Sequence, residues 1–190
     1  MKNSILEKIR ENRPKEHALP SIPAFDTPEN TLESFIEGLK AVGATVVNPT
    51  AGQDLTDVIK VSYPSVNRIV NTSPKVSMKG LNLEEIKNPK DLHPLDLAII
   101  QGSFGVIENG AIWIENDSLA IRAIPFLAEH LVIILSKQEI VATMHQAYQR
   151  LEDDYADYGV FIAGPSKTAD IEQSLVIGAQ GARSLLVVLV

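Results

Sequence analysis

The feature that most constrains the fold is an unbroken apolar segment, Leu131-Val132-Ile133-Ile134-Leu135. A strand with one face in water alternates apolar and polar residues, whereas a strand buried on both faces is apolar throughout. Strands of the second kind belong to parallel sheets that are covered on both sides. Residues 139–151 have the pattern of a helix that follows this strand. The segment therefore predicts a parallel sheet with a helical layer against it.

Strand and helix patterns alternate toward both ends of the chain. In the N-terminal half the predicted order is helix, strand, helix and strand, over residues 32–39, 44–48, 55–61 and 67–71. In the C-terminal half the order is strand, helix and strand, over residues 159–163, 166–175 and 185–190. Apolar segments add two or three central strands, at residues 97–100, 106–107 and 111–114. This order predicts a three-layer α/β fold, in which helices cover both faces of a mostly parallel sheet.

The first part of the chain differs in character from the rest. Residues 2–12 have the pattern of a short amphipathic helix, and a proline-bearing stretch follows it up to Pro28. Thr27 and Pro28 supply the cap and the first-turn proline expected at the start of a helix. We therefore interpret residues 1–27 as a helical arm and linker, and residues 28–190 as one α/β domain, because a chain of this length suits a single core.

The chain contains no cysteine, which excludes disulfides, thiolate metal sites and ligation of a cluster by its own thiolates. The four histidines lack the spacing of metal ligands, and the chain has no glycine-rich dinucleotide fingerprint. We therefore expect the chain to hold no metal, iron–sulfur cluster or flavin of its own.

Charge and hydropathy exclude two further classes of partner. The net charge of −7 repels a phosphate backbone, and the lysines form no basic patch, so we expect no nucleic acid. No apolar segment approaches the roughly 20 residues that a membrane helix requires. The first residues also lack the apolar stretch of a signal peptide. The expected location is the cytoplasm, without a membrane span.

The sharpest candidate for chemistry is the segment Gly164-Pro165-Ser166-Lys167-Thr168-Ala169-Asp170, which follows a predicted strand. A hydroxyl of this segment can cap the predicted helix, or the free N–H groups of that helix can bind a phosphate or carboxylate beside Lys167. On spacing alone capping is favoured, because Asp170 and Glu172 already supply negative charge near the helix dipole. Ligands of such sheets bind beyond the carboxyl ends of the strands, here the loops after Ile100, Leu135 and Ala163.

A second candidate is the tripeptide Glu108-Asn109-Gly110. Asn-Gly is a strong signal for a hairpin turn, and residues of such a turn can also contact a ligand. A third interpretation makes Glu108 catalytic, because the tripeptide resembles the Glu-Asn-Gly segment of CoA-transferases, whose glutamate attacks an acyl-CoA. All three interpretations stay open. A serine-based triad is not predicted, because neither Ser103 nor Ser166 has the flanking glycines of a nucleophile elbow.

Together these segments resemble the lactate utilization protein C family, also called the LUD domain. The resemblance covers residues 95–190 and rests on Glu108-Asn109-Gly110-Ala111, Pro125, the strand 131–135, the helix near Ile140, Gly164 to Glu172 and Leu175-Val176-Ile177-Gly178-Ala179-Gln180-Gly181. Two positions depart from the family pattern. Gln180-Gly181-Ala182 stands where the family usually shows His-Gly-Pro, so no role of that histidine is carried over. Asn109 replaces the more usual serine or threonine.

The resemblance implies a fold similar to that of CoA-transferases and ribose isomerases. It also implies a place in the oxidation of lactate, or of a related organic acid, to pyruvate, with partner proteins that carry iron–sulfur clusters. We interpret the chain as an accessory or ligand-binding subunit for a small anion. The alternatives are a free-standing CoA-transferase-like enzyme that uses Glu108, and a regulatory or assembly protein. Whether the chain forms homo-oligomers stays open.

The resemblance favours an anion site at the turn, because Lys167, Thr168 and Asp170 together exceed what capping requires. We then expect free N–H groups near Ser166 and Lys167 to face a cleft shared with the segment from Gly102 to Gly105. The residues expected to bind the ligand are Gly164, Pro165, Ser166, Lys167, Thr168, Asp170, Gly102, Gly105, Asn109 and Gly110.

Overall fold

The structure is a computed structural model that describes residues 2–14, 17–18, 20, 31–153, 158–171 and 174–190. The helices are α1 (Lys2–Glu11), α2 (Leu32–Ala41), α3 (Leu55–Ser62), α4 (Ile124–Leu127) and α5 (Met144–Asp153). The strands are β1 (Thr45–Val47), β2 (Ile69–Asn71), β3 (Leu95–Gln101), β4 (Phe104–Val106), β5 (Ala111–Glu115), β6 (Ala128–Leu135), β7 (Ile140–Val141), β8 (Gly159–Ile162), β9 (Lys167–Ile171), β10 (Ser174–Ile177) and β11 (Ser184–Leu189). Short 3-10 helices cover Leu83–Glu85, Pro89–Leu92 and Asn116–Ser118.

The central sheet has five parallel strands in the order β1-β11-β6-β3-β2. Its middle strand, β6, contains the apolar segment 131–135. Leu131, Ile133 and Leu135 belong to the core on one face of the sheet, and Val132 and Ile134 to the core on the other. All five side chains are at most 2% exposed. The parallel sheet predicted from this segment is therefore confirmed.

The two faces of the central sheet have different covers. On one face α3 contributes Ile59 to the core that contains Val132 and Ile134. On the other face the core combines Phe35 and Leu39 of α2 with Ile112 of a second sheet. The second sheet has the order β7-β4-β5-β8, and β5 is antiparallel to both neighbours. The α/β class with a mostly parallel central sheet is as predicted, but a sheet occupies part of the face expected to carry helices.

The predicted cap of the first domain helix, Thr27-Pro28, lies outside the described residues. Helix α2 begins at Leu32, and the Thr31 hydroxyl accepts a hydrogen bond from the N–H of Ser34 at 3.1 Å. This is an ordinary N-cap, which satisfies a donor that the first turn leaves free.

The helix predicted over residues 166–175 is wrong. The strands β9 and β10 form an antiparallel hairpin here, with Thr168 opposite Val176 and Lys167 opposite Ile177. A Gly-Pro-Ser turn can begin a helix, but the residues after it include Thr168, Ile171, Val176 and Ile177. These side chains are β-branched, and β-branched residues favour strands. The chain therefore has no helix N-terminus at the predicted anion site.

Two boundaries in the C-terminal half also differ from the prediction. The helix expected over residues 139–151 begins only at Met144, because Ile140–Val141 pairs with β4 as strand β7. The strand expected at residues 159–163 is β8, which pairs antiparallel with β5 in the second sheet. The predicted strand-helix-strand unit at the C-terminus therefore does not form, although the last strand, β11, does join the parallel sheet.

Candidate functional site

The turn after β8 is fixed against two other parts of the chain. Gly164 has a φ of +76°, and a Cβ at this position would lie 2.2 Å from the carbonyl oxygen of Val42. The N–H of Ser166 donates to the carbonyl oxygen of Ala182 at 2.8 Å, and the Ser166 hydroxyl donates to that of Gln180 at 2.5 Å. These contacts hold the turn between the end of α2 and the segment that leads into β11.

The same turn lines a cavity of about 300 Å³. Its walls combine the turn with the end of β8, the start of α4 and the segment before β11; the lining residues are Pro125, Phe126, Leu131, Phe161, Ile162, Ala163, Gly164, Pro165, Ser166, Lys167, Gln180, Gly181 and Ala182. Lys167 is the one charged residue in this lining, and Ser166 and Gln180 supply the polar side chains. The cavity therefore carries a net positive charge at neutral pH.

The Lys167 ammonium also has a structural role. Its Nζ donates a hydrogen bond to the carbonyl oxygen of Val42 at 2.7 Å, and Val42 is the C-cap of α2. A cation at this end of a helix is favourable, because the helix dipole is negative there. An ammonium has three donors, so this bond leaves two for other acceptors. The Lys167 side chain is exposed.

The predicted geometry of the anion site is wrong in two respects. The N–H of Ser166 was expected to be free, but it is bonded to Ala182. Gly102 and Gly105 were expected to share the cleft, but both lie between the two sheets. A Cβ on Gly102 would lie 2.7 Å from Ile112, and one on Gly105 would lie 2.4 Å from Phe35. Close packing of the sheets accounts for both glycines.

The remaining residues of the predicted turn site lie in the hairpin. Thr168 is half-buried and stands opposite Val176. The backbone of Asp170 belongs to β9, whereas its side chain is not described. Gly164 and Pro165 are buried and form the wall of the cavity beside Val42.

The Glu108-Asn109-Gly110 segment forms the turn between β4 and β5. Asn109 Oδ1 accepts a hydrogen bond from the N–H of Ala111 at 3.0 Å, and Gly110 has a φ of +65°. Glu108 Oε2 accepts a hydrogen bond from the N–H of Met144 at 2.8 Å, at the first residue of α5. The carboxylate therefore lies at the positive end of a helix. Glu108 does not line the cavity beside Lys167.

A larger cavity, of about 830 Å³, lies at the amino ends of the parallel strands. Its lining includes Asp96 at the start of β3, His130 in β6 and Ser184 at the start of β11, together with the loop of residues 62–67. The sequence predicts ligands at the opposite edge of the sheet, where its strands have their carboxyl ends. The turn after Ala163 was one of the expected places, but it lies away from that edge, because β8 is not a strand of the parallel sheet. Its cavity is also at the amino edge, beside Gln180–Ala182 before β11.

Three side chains on the wall of the larger cavity form a hydrogen-bonded group. His130 Nδ1 lies 2.8 Å from Ser184 Oγ, and the hydroxyl of Tyr63 lies 3.0 Å from the same oxygen. The rings of Tyr63 and His130 are in contact, with their centroids 4.9 Å apart. His130 and Ser184 are directly paired in the register of β6 and β11. Sequence reasoning missed this group, because its members are far apart in the chain and carry no local spacing signal.

The environment shifts the pKa of two groups in this cavity. The pKa of Asp96 is lowered, first by the hydrogen bond from the N–H of Arg68 and then by that from Asn67, so the carboxylate stays charged. The attraction of nearby His130 acts in the same direction. The pKa of Tyr63 is raised, mainly because burial disfavours its charged form. Tyr63 therefore keeps its proton at neutral pH.

The fold and these cavities define an α/β protein with a parallel central sheet and open cavities along the amino edge of that sheet. Residues 75–190 match the family model of the LUD domain, so the chain belongs to the LUD domain family. The family and the fold class inferred from the sequence are thereby confirmed.

Named relatives are similar to part of the chain. "Lactate utilization protein C" of Geobacillus kaustophilus is 32% identical over 134 residues, which are 67% of this chain and 52% of that protein. "Lactate utilization protein C" of Oceanobacillus iheyensis is 30% identical over 93 residues, 45% of this chain and 40% of that protein. The chain thus spans about half the length, or less, of these relatives.

A solved structure supports the fold. The crystal structure of a DUF162 family protein from Deinococcus radiodurans superposes with a TM-score of 0.64 at 16% identity, and covers 83% of this chain and 94% of its own. Among the described residues, none of the helices is both long enough and apolar enough to cross a membrane. Within the same ranges, no three histidine, aspartate or glutamate residues lie close enough together to hold a metal ion.

Proposed function

We propose that this chain works in lactate utilization as an accessory, ligand-binding domain whose ligand is a small organic acid. The observation that carries the proposal is the cavity of about 300 Å³ with Lys167 as the one charged residue of its lining. Membership of the LUD domain family and the names of the relatives support the choice of pathway.

The charge of this cavity favours a carboxylate over a neutral or cationic ligand. The ammonium of Lys167 retains two donors beyond its bond to Val42, and hydrogen bonds between charged partners are the stronger kind. The apolar residues of the wall, such as Phe161 and Leu131, suit the short carbon chain of an organic acid. Lys167 and Ser166 are the residues proposed to bind the anion, with Gln180 beside them.

The test is a thermal-shift titration with sodium lactate and sodium pyruvate, against sodium chloride at equal ionic strength. We expect a rise in melting temperature, since a ligand at about 100 times its Kd stabilises a protein by about 2.7 kcal/mol. Lys167→Ala should remove the rise. Lys79→Ala, which deletes the same charge from an exposed loop residue, should retain it. Equal shifts in wild type and Lys167→Ala would reject the site.

We further propose that the chain acts beside subunits that carry iron–sulfur clusters. The support is chemical: oxidation of lactate releases electrons, and this sequence has no cysteine with which to ligate a cluster. The test is co-elution of the chain with the cluster-bearing proteins of a lactate oxidation system in size-exclusion chromatography. If the chain and the cluster-bearing proteins elute as separate peaks, the proposal is rejected.

A further inference from the structure

We propose that Ser184, His130 and Tyr63 form a second site, in which Ser184 accepts an acyl group from an ester and passes it to water. The site lies in the cavity of about 830 Å³ at the amino edge of the parallel sheet. It does not use Lys167, and it therefore stands apart from the organic-acid site proposed above.

Ser184 and His130 pair a nucleophile with a base. A serine hydroxyl becomes reactive when a base within hydrogen-bond distance can take its proton. Nδ1 of His130 lies 2.8 Å from Ser184 Oγ, within the range that such pairs show. Both residues are half-buried and line the cavity, so a ligand there can reach the hydroxyl.

Tyr63 lies where it can stabilise the acyl-transfer intermediate. An acyl transfer needs a donor for the negative charge that develops on the carbonyl oxygen. The Tyr63 hydroxyl, 3.0 Å from Ser184 Oγ, is close to where that oxygen lies once the carbonyl carbon bonds to Oγ. Burial raises the pKa of Tyr63, so its hydroxyl retains the proton that it must donate. Its ring also packs against His130 and fixes the imidazole plane.

The charges that line the cavity limit the class of ester that it can bind. His130 takes the proton of Ser184, and the Asp96 carboxylate lies on the wall of the same cavity. Asp96 and Glu129 both line the cavity. Glu129 is paired with Arg183 at 2.7 Å, whereas the Asp96 carboxylate accepts hydrogen bonds from the backbone N–H groups of Asn67 and Arg68. The charge of Asp96 repels an anionic acyl group, so the acyl group of the ester should be uncharged. The volume suits a drug-sized ester and its leaving group.

The chemical steps balance without a further reagent. Ser184 Oγ attacks the ester carbonyl, and its proton moves to His130. The tetrahedral adduct collapses, the bond to the alcohol breaks, and His130 returns the proton to the leaving oxygen. Water then attacks the acyl-serine, gives one proton to His130 and releases the acid, after which Ser184 regains its proton.

The test uses p-nitrophenyl acetate as the uncharged ester and the full chain as the protein. We expect a burst of p-nitrophenolate, slow turnover, and one added acetyl group that peptide mass spectrometry locates on Ser184. Ser184→Ala should abolish the burst. His130→Gln should slow acetylation about 100-fold, and Tyr63→Phe should slow it by a similar factor because one oxyanion donor is lost.

Two further variants keep the outcome decisive. Ser136→Ala, at the carboxyl edge of the sheet and outside the cavity lining, should leave the burst unchanged. If Ser184→Ala fails to fold, Ser184→Cys retains a nucleophile at the same position and should be acetylated on its sulfur. Acetylation confined to lysines or to other serines, or a burst of equal size in a folded Ser184→Ala, would overturn the proposal.

Discussion

At the scale of single residues, one charged side chain from each of the two predicted motifs lies at a helix end. Lys167 binds the carbonyl oxygen of Val42, the C-cap of α2, and Glu108 binds the N–H of Met144, the first residue of α5. Each charge matches the sign of the dipole that it meets. A sequence pattern alone does not separate this stabilising role from ligand binding, because both require the same residue types beside a turn.

Gly164 tests whether the turn depends on close packing. Its φ of +76° disfavours a side chain, and a Cβ would lie 2.2 Å from the carbonyl oxygen of Val42. Gly164→Ala should therefore reduce the free energy of unfolding by about 3 kcal/mol. Gly52→Ala is the matched control, since its φ is +85° but its Cβ would have nothing within 4 Å. That variant should lose only about 1 kcal/mol. Urea denaturation measures both, and equal losses would contradict the argument.

Asp96 tests the electrostatics of the amino edge. Its folded pKa is lowered below the unfolded value, first through the N–H of Arg68 and then through that of Asn67. The stability that it contributes is therefore present above a pH of about 4, and is lost as the pH falls through the folded pKa. Asp96→Asn should lower the free energy of unfolding by about 1 kcal/mol at pH 7. The loss is small because the side chain is partly exposed to solvent.

The pH dependence of this effect is the decisive measurement. The difference between wild type and Asp96→Asn in urea denaturation should shrink as the pH is lowered from 7 toward 3, because the wild-type carboxylate then becomes protonated. Asp117→Asn, which removes an exposed carboxylate, should show no comparable change. A difference that is constant with pH would rule out a charge effect at Asp96.

At the scale of elements, the apolar pattern predicted the buried strands well. The segment 131–135 was recognised as a doubly buried strand, because five large aliphatic residues in succession fit few other structures. The pattern failed where tertiary pairing decides the outcome. Residues 166–177 form a hairpin, and Ile140–Val141 joins β4, since strand partners distant in sequence override local helix signals.

The carboxylate of Glu108 should stabilise helix α5. It accepts a hydrogen bond from the N–H of Met144, and Thr143 Oγ1 accepts one from the N–H of Gln146. Glu108→Ala should cost about 1 kcal/mol of stability, comparable with the loss of an N-cap. Glu108→Gln should cost less, because its carbonyl oxygen can still accept the bond. Chemical denaturation checks the order, and an unchanged midpoint for Glu108→Ala would contradict the role.

The CoA-transferase-like alternative also depends on Glu108, and a different measurement tests it. If Glu108 attacked an acyl-CoA, hydroxylamine would convert the intermediate into a modified Glu108 that mass spectrometry detects. We expect no such adduct with acetyl-CoA or propionyl-CoA, because this carboxylate already binds α5. An adduct in wild type that is absent from Glu108→Gln would establish the alternative.

At the scale of the whole molecule, parallel connections collect residues that the sequence keeps apart. Asp96, His130 and Ser184 lie near the starts of three neighbouring strands, and so they meet at one edge of the sheet. The sequence predicted the sheet but not the strand order, and the order decides which side chains meet. For this reason a local motif indicates the turn at Gly164, whereas only the fold brings the residues around Ser184 together.

The proposed division between an arm and a domain is testable by truncation. Residues 4–14 are exposed, including Ile5, Leu6 and Ile9 of α1, so they contribute little buried area. If the arm and linker are separate from the domain, a chain of residues 28–190 should unfold cooperatively, with a melting temperature within a few degrees of that of the full chain.

A chain of residues 44–190 is the control. It lacks Phe35 and Leu39, which are fully buried between α2 and the sheets, and their loss should cost about 3 kcal/mol or more for each side chain. We expect this shorter chain to lose its cooperative transition. Loss of cooperative unfolding already in the 28–190 chain would show that the arm belongs to the domain.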